Sequence, residues 1–133
     1  MKQNFSSHWK SSKQPRKQRK YLARAPLHIK HKFLSANLSK DLRKKYQRRS
    51  FPLRKGDSIK IMRGSFNGKT GKISKIDLKD SGASIEGIQR SKKDGTKVEI
   101  FFHPSNLQII ELNLEDKKRI ISLEKKLKVK ETK

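Results

Sequence analysis

Residues 53–78 read LRKGDSIKIMRGSFNGKTGKISKIDL, and the pattern in this stretch decides the fold. Ile59 and Ile61 alternate with polar neighbours, which is the period-two pattern of a strand with one buried face. The dipeptide Asn67-Gly68 follows, and it tolerates the positive φ angles that tight hairpin turns require. The first half of the stretch therefore predicts a strand that leads into a hairpin turn.

The second half carries apolar residues at a spacing that breaks strict alternation. Ile73, Ile76 and Leu78 would share one inward face only if the strand contained a bulge or a sharp bend. Small barrels need such bends in order to close. We therefore expect a bent strand after the turn, as in a small β-barrel.

Further strand patterns continue downstream as far as residue 112. Residues 97–102 read KVEIFF and residues 107–109 read LQI, and Asp94-Gly95 precedes them as a second turn signal. All seven glycines of the chain lie within residues 51–112. The predicted fold is therefore mainly β, with a barrel in residues 51–112. Its inward-facing side chains downstream would be Val98, Ile100, Phe102, Leu107 and Ile109.

Charge divides the 133-residue chain, which carries 36 basic and 12 acidic residues and a formal net charge of +24. Residues 1–50 hold 16 basic residues and 1 acidic residue, residues 51–112 hold 12 and 7, and residues 113–133 hold 8 and 4. We therefore expect a basic extension, a barrel and a C-terminal segment with these bounds. Such an excess of cations exceeds what solvation requires and favours a polyanionic partner. Charge alone would suit nucleic acid, an anionic membrane surface or heparin.

Other features of the composition narrow the class of protein. Because cysteine is absent, disulfides and thiolate metal sites are excluded, and a reducing cytoplasm fits. No apolar run approaches the roughly 18 residues of a membrane span, and the first twenty residues lack the apolar core of a secretory signal. We expect a cytoplasmic protein with no membrane span and no small-molecule substrate.

The basic extension contains two short helix signals. Pro26 suits the first turn of one helix, and Ser39 suits the N-cap of another that has Asp41 in its first turn. Upstream, residues 13–20 form a basic run without an apolar residue, and we expect no folded structure there in the absence of phosphate. The apolar stripes would be Leu27, Ile29, Phe33 and Leu34 in the first helix, and Leu42 and Tyr46 in the second.

The C-terminal segment, residues 113–133, reads as one amphipathic helix that packs lightly on the barrel and frays after Lys128. Asn113 would be its N-cap, with Asp116 at the third position of a weak capping box. Pairs at four-residue spacing would add a little stability. The expected apolar stripe is Ile120, Leu123 and Leu127, and the expected pairs are Glu115 with Arg119 and Glu124 with Lys128.

Three patterns resemble ligand sites, but each lacks a feature that such a site requires. Residues 64–70, GSFNGKT, have three residues between the glycines where a nucleotide-binding loop needs four, and a strand pattern follows where that motif needs a helix. His28 and His31 have no cysteine or nearby carboxylate to complete a metal shell. No nucleophile and orienting acid accompany His103 in the sequence. We therefore expect no catalytic residue, no metal and no cofactor.

Residues 53–78 also resemble a KOW motif, the strand–turn–strand unit of SH3-like barrels in ribosomal proteins and transcription elongation factors. The preceding segment APLHIKHKFLSANLSKDLRKKY and the later segment IEGIQRSKKDGTKVEIFFHPSNLQIIEL resemble the large-subunit ribosomal protein twenty-four family. The likeness is to the archaeal and eukaryotic branch, whose eukaryotic member is numbered twenty-six, and it covers nearly residues 13–125. It implies a small SH3-like barrel with a basic N-terminal extension and a C-terminal helix.

That resemblance also implies a function. It implies a structural protein bound to large-subunit ribosomal RNA near the rim of the peptide exit tunnel, where it supports subunit assembly. The implied partners are that RNA and neighbouring large-subunit proteins, without homo-oligomer formation. A KOW-bearing regulator of transcription or translation that binds RNA transiently is the alternative, although such a factor would normally bring a second folded domain.

The predicted RNA contacts are basic side chains that neutralise backbone phosphates, so shape should dominate recognition over base sequence. Arginine can bridge two phosphate oxygens, whereas lysine supplies a point charge. Four aromatic residues, Trp9, Tyr21, Phe51 and Phe66, would either stack on unpaired bases or pack within the protein. The predicted contacts are Arg16, Lys17, Arg19, Lys20, Arg24, His28, Lys30, His31, Lys32, Arg43, Arg48, Arg49, Arg54, Arg63, Lys69 and His103.

Overall fold

The computed structural model describes residues 5, 6, 8 and 12–131, with side chains as far as Glu124. Within these residues a seven-stranded sheet forms the centre of the molecule, and its strands are β1 Ser35–Leu38, β2 Ser50–Pro52, β3 Ser58–Ile61, β4 Thr70–Asp77, β5 Gly82–Ser91, β6 Lys97–Phe102 and β7 Leu107–Glu111. The strand order across the sheet is β2-β1-β7-β3-β4-β5-β6. The helices are α1 Pro15–Arg24, α2 Leu27–Phe33, α3 Lys40–Tyr46 and α4 Lys117–Glu131.

The core confirms the predicted small barrel of the SH3-like type. Ile59 and Ile61 of β3 and Ile109 of β7 are fully buried, and Ile59 lies opposite Ile109 in the antiparallel register. Leu38 of β1 and Ile73 of β4 belong to the same buried cluster. The period-two pattern therefore placed these side chains on the correct face.

The predicted bulge is present in β4, where the register to β5 shifts between Ile73 and Lys75. The two predicted turns are also present, but they are longer than tight two-residue hairpins, since they span residues 62–69 and 92–96. The glycine of each predicted turn dipeptide takes a positive φ, +84° at Gly68 and +81° at Gly95. Longer hairpin loops place a glycine of this kind after the bend.

Three strands lie where no strand was predicted, and they are β1, β2 and β5. β1 pairs in parallel with β7 and antiparallel with β2, so the sheet begins inside the basic extension. β5 is buried at four consecutive positions from Gly82, which hides the alternating pattern. Val98, predicted to face inward, is 41% exposed, whereas Ile100 and Phe102 of the same strand pack against the core.

The N-terminal helices correct one expectation and confirm others. Most of the basic run at residues 13–20 is helical, because α1 begins at Pro15, a residue preorganised for a first helical turn. The helix expected after Pro26 is α2, but its Leu27 is 68% exposed and does not join the apolar stripe. The N-cap of α3 is confirmed, because the Ser39 side chain accepts a hydrogen bond from the backbone of Leu42.

The C-terminal helix starts later than predicted and packs more firmly. α4 begins at Lys117, and the N-terminal backbone is capped by Asp116, whose carboxylate accepts from Lys118 N at 2.8 Å. Its backbone remains helical to Glu131, beyond the predicted fraying point. Leu123 is 1% exposed within the core cluster. The predicted stripe residue Leu127 and the Glu124–Lys128 pair lie outside the described side chains.

Arg119 does not pair with Glu115 as predicted; it forms a buried two-pronged ion pair with Asp57. Its terminal nitrogens donate to the two Asp57 carboxylate oxygens at 2.6 and 2.7 Å. The same carboxylate accepts from the backbone nitrogens of Arg54 and Asn113 at 2.8 and 2.9 Å. The pair joins α4 to the segment before β3, across a sequence separation that no local pattern reports.

No helix in the described part of the chain is long and apolar enough to cross a bilayer.

Candidate RNA-binding surface

The first two helices form a surface with cations and no acid. The first acidic residue in the chain is Asp41, so α1 and α2 contain neither Asp nor Glu. Arg16, Lys20 and Arg24 follow at four-residue spacing and form one row along α1, where like charges repel. An anion running along this row would relieve that repulsion. The predicted contacts on α1 are all exposed: Arg16, Lys17, Arg19, Lys20 and Arg24.

Aromatic contacts fix this surface to the rest of the protein. The ring of Tyr21 on α1 lies 4.8 Å from that of Phe5 and 6.0 Å from that of Phe33 on α2, measured between centroids. Ala25, between the two helices, is buried. Tyr21 therefore packs within the protein, and the charged faces of the helices are held in a defined orientation.

A second basic region is a cleft between α2, β2 and α4, with a volume of about 280 Å³. We call it the α2–α4 cleft. It gathers cations from three separate parts of the chain, and no pattern in the sequence indicates that Lys118 and Arg119 belong with the others. The lining residues are His28, His31, Lys32, Arg48, Phe51, Pro52, Arg54, Lys118, Arg119 and Ser122.

Phe51 occupies the floor of this cleft between two guanidinium groups. The guanidinium carbon of Arg48 lies 5.6 Å from the centre of the ring, and that of Arg119 lies 5.3 Å from it. Cations at this distance are attracted to an aromatic face. Because Phe51 is only 5% exposed, it packs within the protein and is not available to stack on a base.

The surroundings of His31 in this cleft disfavour protonation of its side chain. Burial lowers the pKa of His31 below its ordinary value, and the positive charges of Arg54 and Arg119 lower that pKa further. Two carboxylates offset these arginines, since Asp57 pairs with Arg119 and Asp116 pairs with Arg54. His31 is therefore driven toward its neutral form in the free protein.

A larger open cleft of about 1040 Å³ lies between the β3–β4 loop and the β5–β6 hairpin. We call it the hairpin cleft. The rings of Phe66 and Phe102 meet edge to face there at 6.0 Å, and Lys69 Nζ lies 5.1 Å from the Phe66 ring centre. The predicted contact Arg63 lines this cleft. Three further cations that line this cleft were not predicted as RNA contacts, although they precede the Asp94-Gly95 turn signal. They are Arg90, Lys92 and Lys93.

The remaining predicted contacts are divided between exposed and internal positions. Arg43 is used inside the fold, where Nε donates to the carbonyl of Leu38 at 2.8 Å and a terminal nitrogen donates to the Asn37 side chain. His103 is exposed and caps the 3₁₀ turn at Pro104–Asn106, since Nδ1 accepts from Ser105 N at 3.3 Å. Lys30 is half-buried and Arg49 is exposed beyond the end of α3.

The two histidines of α2 lie apart from any group of side chains suited to a metal ion within the described ranges. In the described ranges no group of three or more His, Asp and Glu side chains could hold a metal ion. His28 and His31 instead line the basic α2–α4 cleft. Trp9, the remaining aromatic candidate for base stacking, lies outside the described residues.

Two comparisons with known proteins agree with this geometry. Residues 12–126 match the family model that describes ribosomal protein L26 of eukaryotes and its archaeal counterpart, ribosomal protein L24. The chain is also similar to the large ribosomal subunit protein uL24 of Methanosphaera stadtmanae, with 48% identity over 116 residues. That alignment covers 87% of this chain and 99% of the relative.

Proposed function

The chain belongs to the family of eukaryotic L26 and archaeal L24 ribosomal proteins, and from this premise we propose that it binds large-subunit ribosomal RNA through its N-terminal helices and basic clefts. Family membership makes it a structural protein of the large ribosomal subunit in the cytoplasm, and not an enzyme. What the proposal adds is the nature of the partner and the surface that contacts it.

The observation that carries this proposal is the charge asymmetry between the helices and the barrel. α1 presents five cations to solvent with no acid on the same helix, whereas the barrel segment mixes both signs. A surface of this kind lowers its own electrostatic energy when RNA phosphates replace small counterions around it. Contact with the RNA backbone therefore stabilises the folded protein as well as the complex.

The roles of the two basic side-chain types differ. Arg16 and Arg19 can each donate to two phosphate oxygens at once, whereas Lys17 and Lys20 supply compact charges that tolerate several positions. Because backbone contacts carry no base information, the RNA is recognised mainly through its shape. The exposed cations of the hairpin cleft extend the same mode of binding to the barrel.

We place the protein near the rim of the peptide exit tunnel, as its sequence resemblance implies, with neighbouring large-subunit proteins and the RNA as its partners. The barrel would dock on the surface while α1 and α2 lie between RNA helices. Such an arrangement would bring phosphates from separate RNA segments together, and this supports subunit assembly. With RNA and neighbouring proteins as its partners, the chain would need no homo-oligomer.

Gradient sedimentation tests the proposal in the form in which the protein acts. Lysate is fractionated on sucrose gradients at low salt and at about 0.5 M salt, and the chain is followed beside large-subunit RNA. Phosphate contacts at a surface weaken steeply with salt, whereas helices that lie between RNA helices should stay bound. We expect stoichiometric co-sedimentation at both salts. A chain that leaves the particle at high salt, or never sediments with it, would contradict permanent incorporation and favour a transient KOW-type factor.

A further inference from the structure

The α2–α4 cleft holds more positive charge than its acids balance. Arg54 and Arg119 have carboxylate partners, but Lys32, Arg48 and Lys118 have none within the part of the chain that the structure describes. Arg48 is half-buried, and its recorded partner is the carbonyl of Ser122, which carries no net charge. Three uncompensated cations therefore share one small cleft.

The hydrogen bonds of the two arginines are incomplete as well. Arg48 Nε and Arg119 Nε are buried and have no acceptor among the described residues. The Arg119 side chain is 3% exposed. Buried donors without a partner are uncommon, because the hydrogen bonds that they lose to water on burial are not replaced. Both the charge and the donors call for an anion with several acceptor oxygens.

We propose that the α2–α4 cleft seats one phosphate group of the RNA backbone, held by Arg48 together with Lys32 and Lys118. This inference rests on the proposed function, because it assigns one position on the RNA to one site on the protein. The cleft volume of about 280 Å³ suits a phosphodiester group.

The site would connect parts of the protein that are distant in sequence. Lys32 lies on α2, Arg48 precedes β2, and Lys118 lies on α4. One phosphate among them removes the mutual repulsion of all three segments. The barrel and both ends of the described chain are thereby drawn to a single point on the RNA backbone.

The first experiment measures binding of the full chain to deproteinised large-subunit ribosomal RNA by filter binding over a range of salt concentrations. The cleft variants are Lys32→Gln, Arg48→Gln and Lys118→Gln. Lys79→Gln is the matched control, since Lys79 is an exposed cation in the β4–β5 turn, away from both clefts. We expect each cleft variant to weaken binding about tenfold and the control less than about twofold.

The salt dependence identifies a shared phosphate. Each phosphate contact contributes roughly 0.7–0.9 to the slope of log affinity against log salt. Since the three cations hold one group, the double variant Lys32→Gln with Lys118→Gln should lose no more slope than either single variant. Additive losses would mean that each cation contacts a separate phosphate, and the single-site proposal would be wrong.

A second experiment removes the RNA and uses inorganic phosphate as the probe. In ¹H–¹⁵N spectra of the full chain at constant ionic strength, the Nε–H signals of Arg48 and Arg119 should shift saturably with phosphate. The shift should disappear in Lys32→Gln, a substitution at an exposed position of α2. A shift with RNA but not with inorganic phosphate would still support the backbone source, because neighbouring contacts then hold the strand in place.

These outcomes distinguish the phosphate site in the cleft from the proposed RNA-binding function. If the cleft variants bind RNA like Lys79→Gln while the wild-type chain binds tightly, the cleft assignment is overturned and RNA binding stands. If the wild-type chain does not bind RNA, the proposed function fails, and the Nε titration decides the cleft by itself. Circular dichroism of each variant confirms that it folds.

Discussion

The arginines of α1 and the arginine of α4 carry the same side chain in opposite environments. Arg16 and Arg19 are exposed on a helix without acids, whereas Arg119 is enclosed and donates to both oxygens of Asp57. The first arrangement costs the free protein electrostatic energy, and the second joins two parts of its fold. The composition does not distinguish these arginines. Their surroundings decide whether a cation is exposed for the proposed RNA contact or forms an ion pair inside the fold.

The comparison extends to the two regions as wholes. The barrel buries a continuous apolar cluster, while α1 has no buried residue and is held by the Tyr21 contacts. We therefore expect stability to depend on the barrel and α4, and RNA affinity to depend on the N-terminal helices. Substitutions that change one property without the other test this separation.

The largest effect should follow removal of the buried cation. Arg119→Ala leaves the Asp57 carboxylate buried without its partner and should lower the free energy of unfolding by about 3–5 kcal/mol. Urea unfolding followed by circular dichroism measures the change. Because Arg119 also lines the α2–α4 cleft, affinity for RNA is compared only under conditions in which the variant is folded.

The matched control for this prediction is the surface pair between Lys75 and Glu99, whose nitrogen and oxygen lie 3.2 Å apart. The Lys75 side chain is 68% exposed, so Glu99→Gln should cost less than about 1 kcal/mol. Equal losses in the two variants would show that the buried pair has no special role in stability.

A pair of truncations sharpens the comparison between the two regions. Ile59→Ala opens a cavity at a fully buried position of β3 and should cost about 2–5 kcal/mol. Leu22→Ala removes a side chain that is 47% exposed on α1 and should cost less than about 1 kcal/mol. Thermal unfolding of both variants measures this. A large loss for Leu22→Ala would mean that α1 is a structural part of the barrel.

Neutralising α1 should have the converse outcome. The combined substitutions Arg16→Gln, Lys17→Gln, Arg19→Gln and Lys20→Gln should reduce affinity for large-subunit RNA about a hundredfold near physiological salt. The free energy of unfolding should change by no more than about 0.5 kcal/mol, because these side chains are exposed. Filter binding and urea unfolding are run in parallel. Unchanged affinity would contradict the role assigned to α1.

The smallest effect should come from His31. Because its pKa is lowered in the folded protein, the unfolded chain binds the proton more readily, so stability is complete above the ordinary pKa near 6.5 and decreases as pH falls through the lowered value. Between pH 7.5 and 5.5 the melting temperature should fall by about 2 °C more in the wild type than in His31→Gln. The other histidines are shared, so the difference isolates His31. Equal falls would contradict this prediction.

The charged and titratable groups around His31 are His28, Lys32, Arg48, Arg54, Lys118 and Arg119, with Asp57 and Asp116 as the balancing acids.

Much of the barrel could be predicted because its signals are local. Ile59 and Ile61 alternate, Gly68 and Gly95 mark turns, and the spacing after Ile73 requires a bulge. Each pattern spans a few residues and depends on backbone geometry that those residues set for themselves. The N-cap at Ser39 was predictable for the same reason.

What the sequence did not predict depends on distant partners. β1 has only four residues, and its pairing with β7 supplies the hydrogen bonds that make it a strand. Arg119 has Glu115 at helical spacing, yet the buried carboxylate of Asp57 is the better partner because it also organises two backbone nitrogens. The α2–α4 cleft was equally hidden, since its cations come from three segments that meet only in the folded chain.

The parallel pairing of β1 with β7 also sets the order of events during synthesis. Asn37 aligns with Gln108 and Leu38 with Ile109, so residues 39–107 must all be made before this side of the sheet can form. Pairings between such distant segments form slowly, because the chain entropy lost in closing the loop comes first. α1 and α2 precede all seven strands in the chain, so they leave the ribosome that makes them before the barrel is complete. The cationic segment is therefore exposed to RNA before this side of the sheet can form.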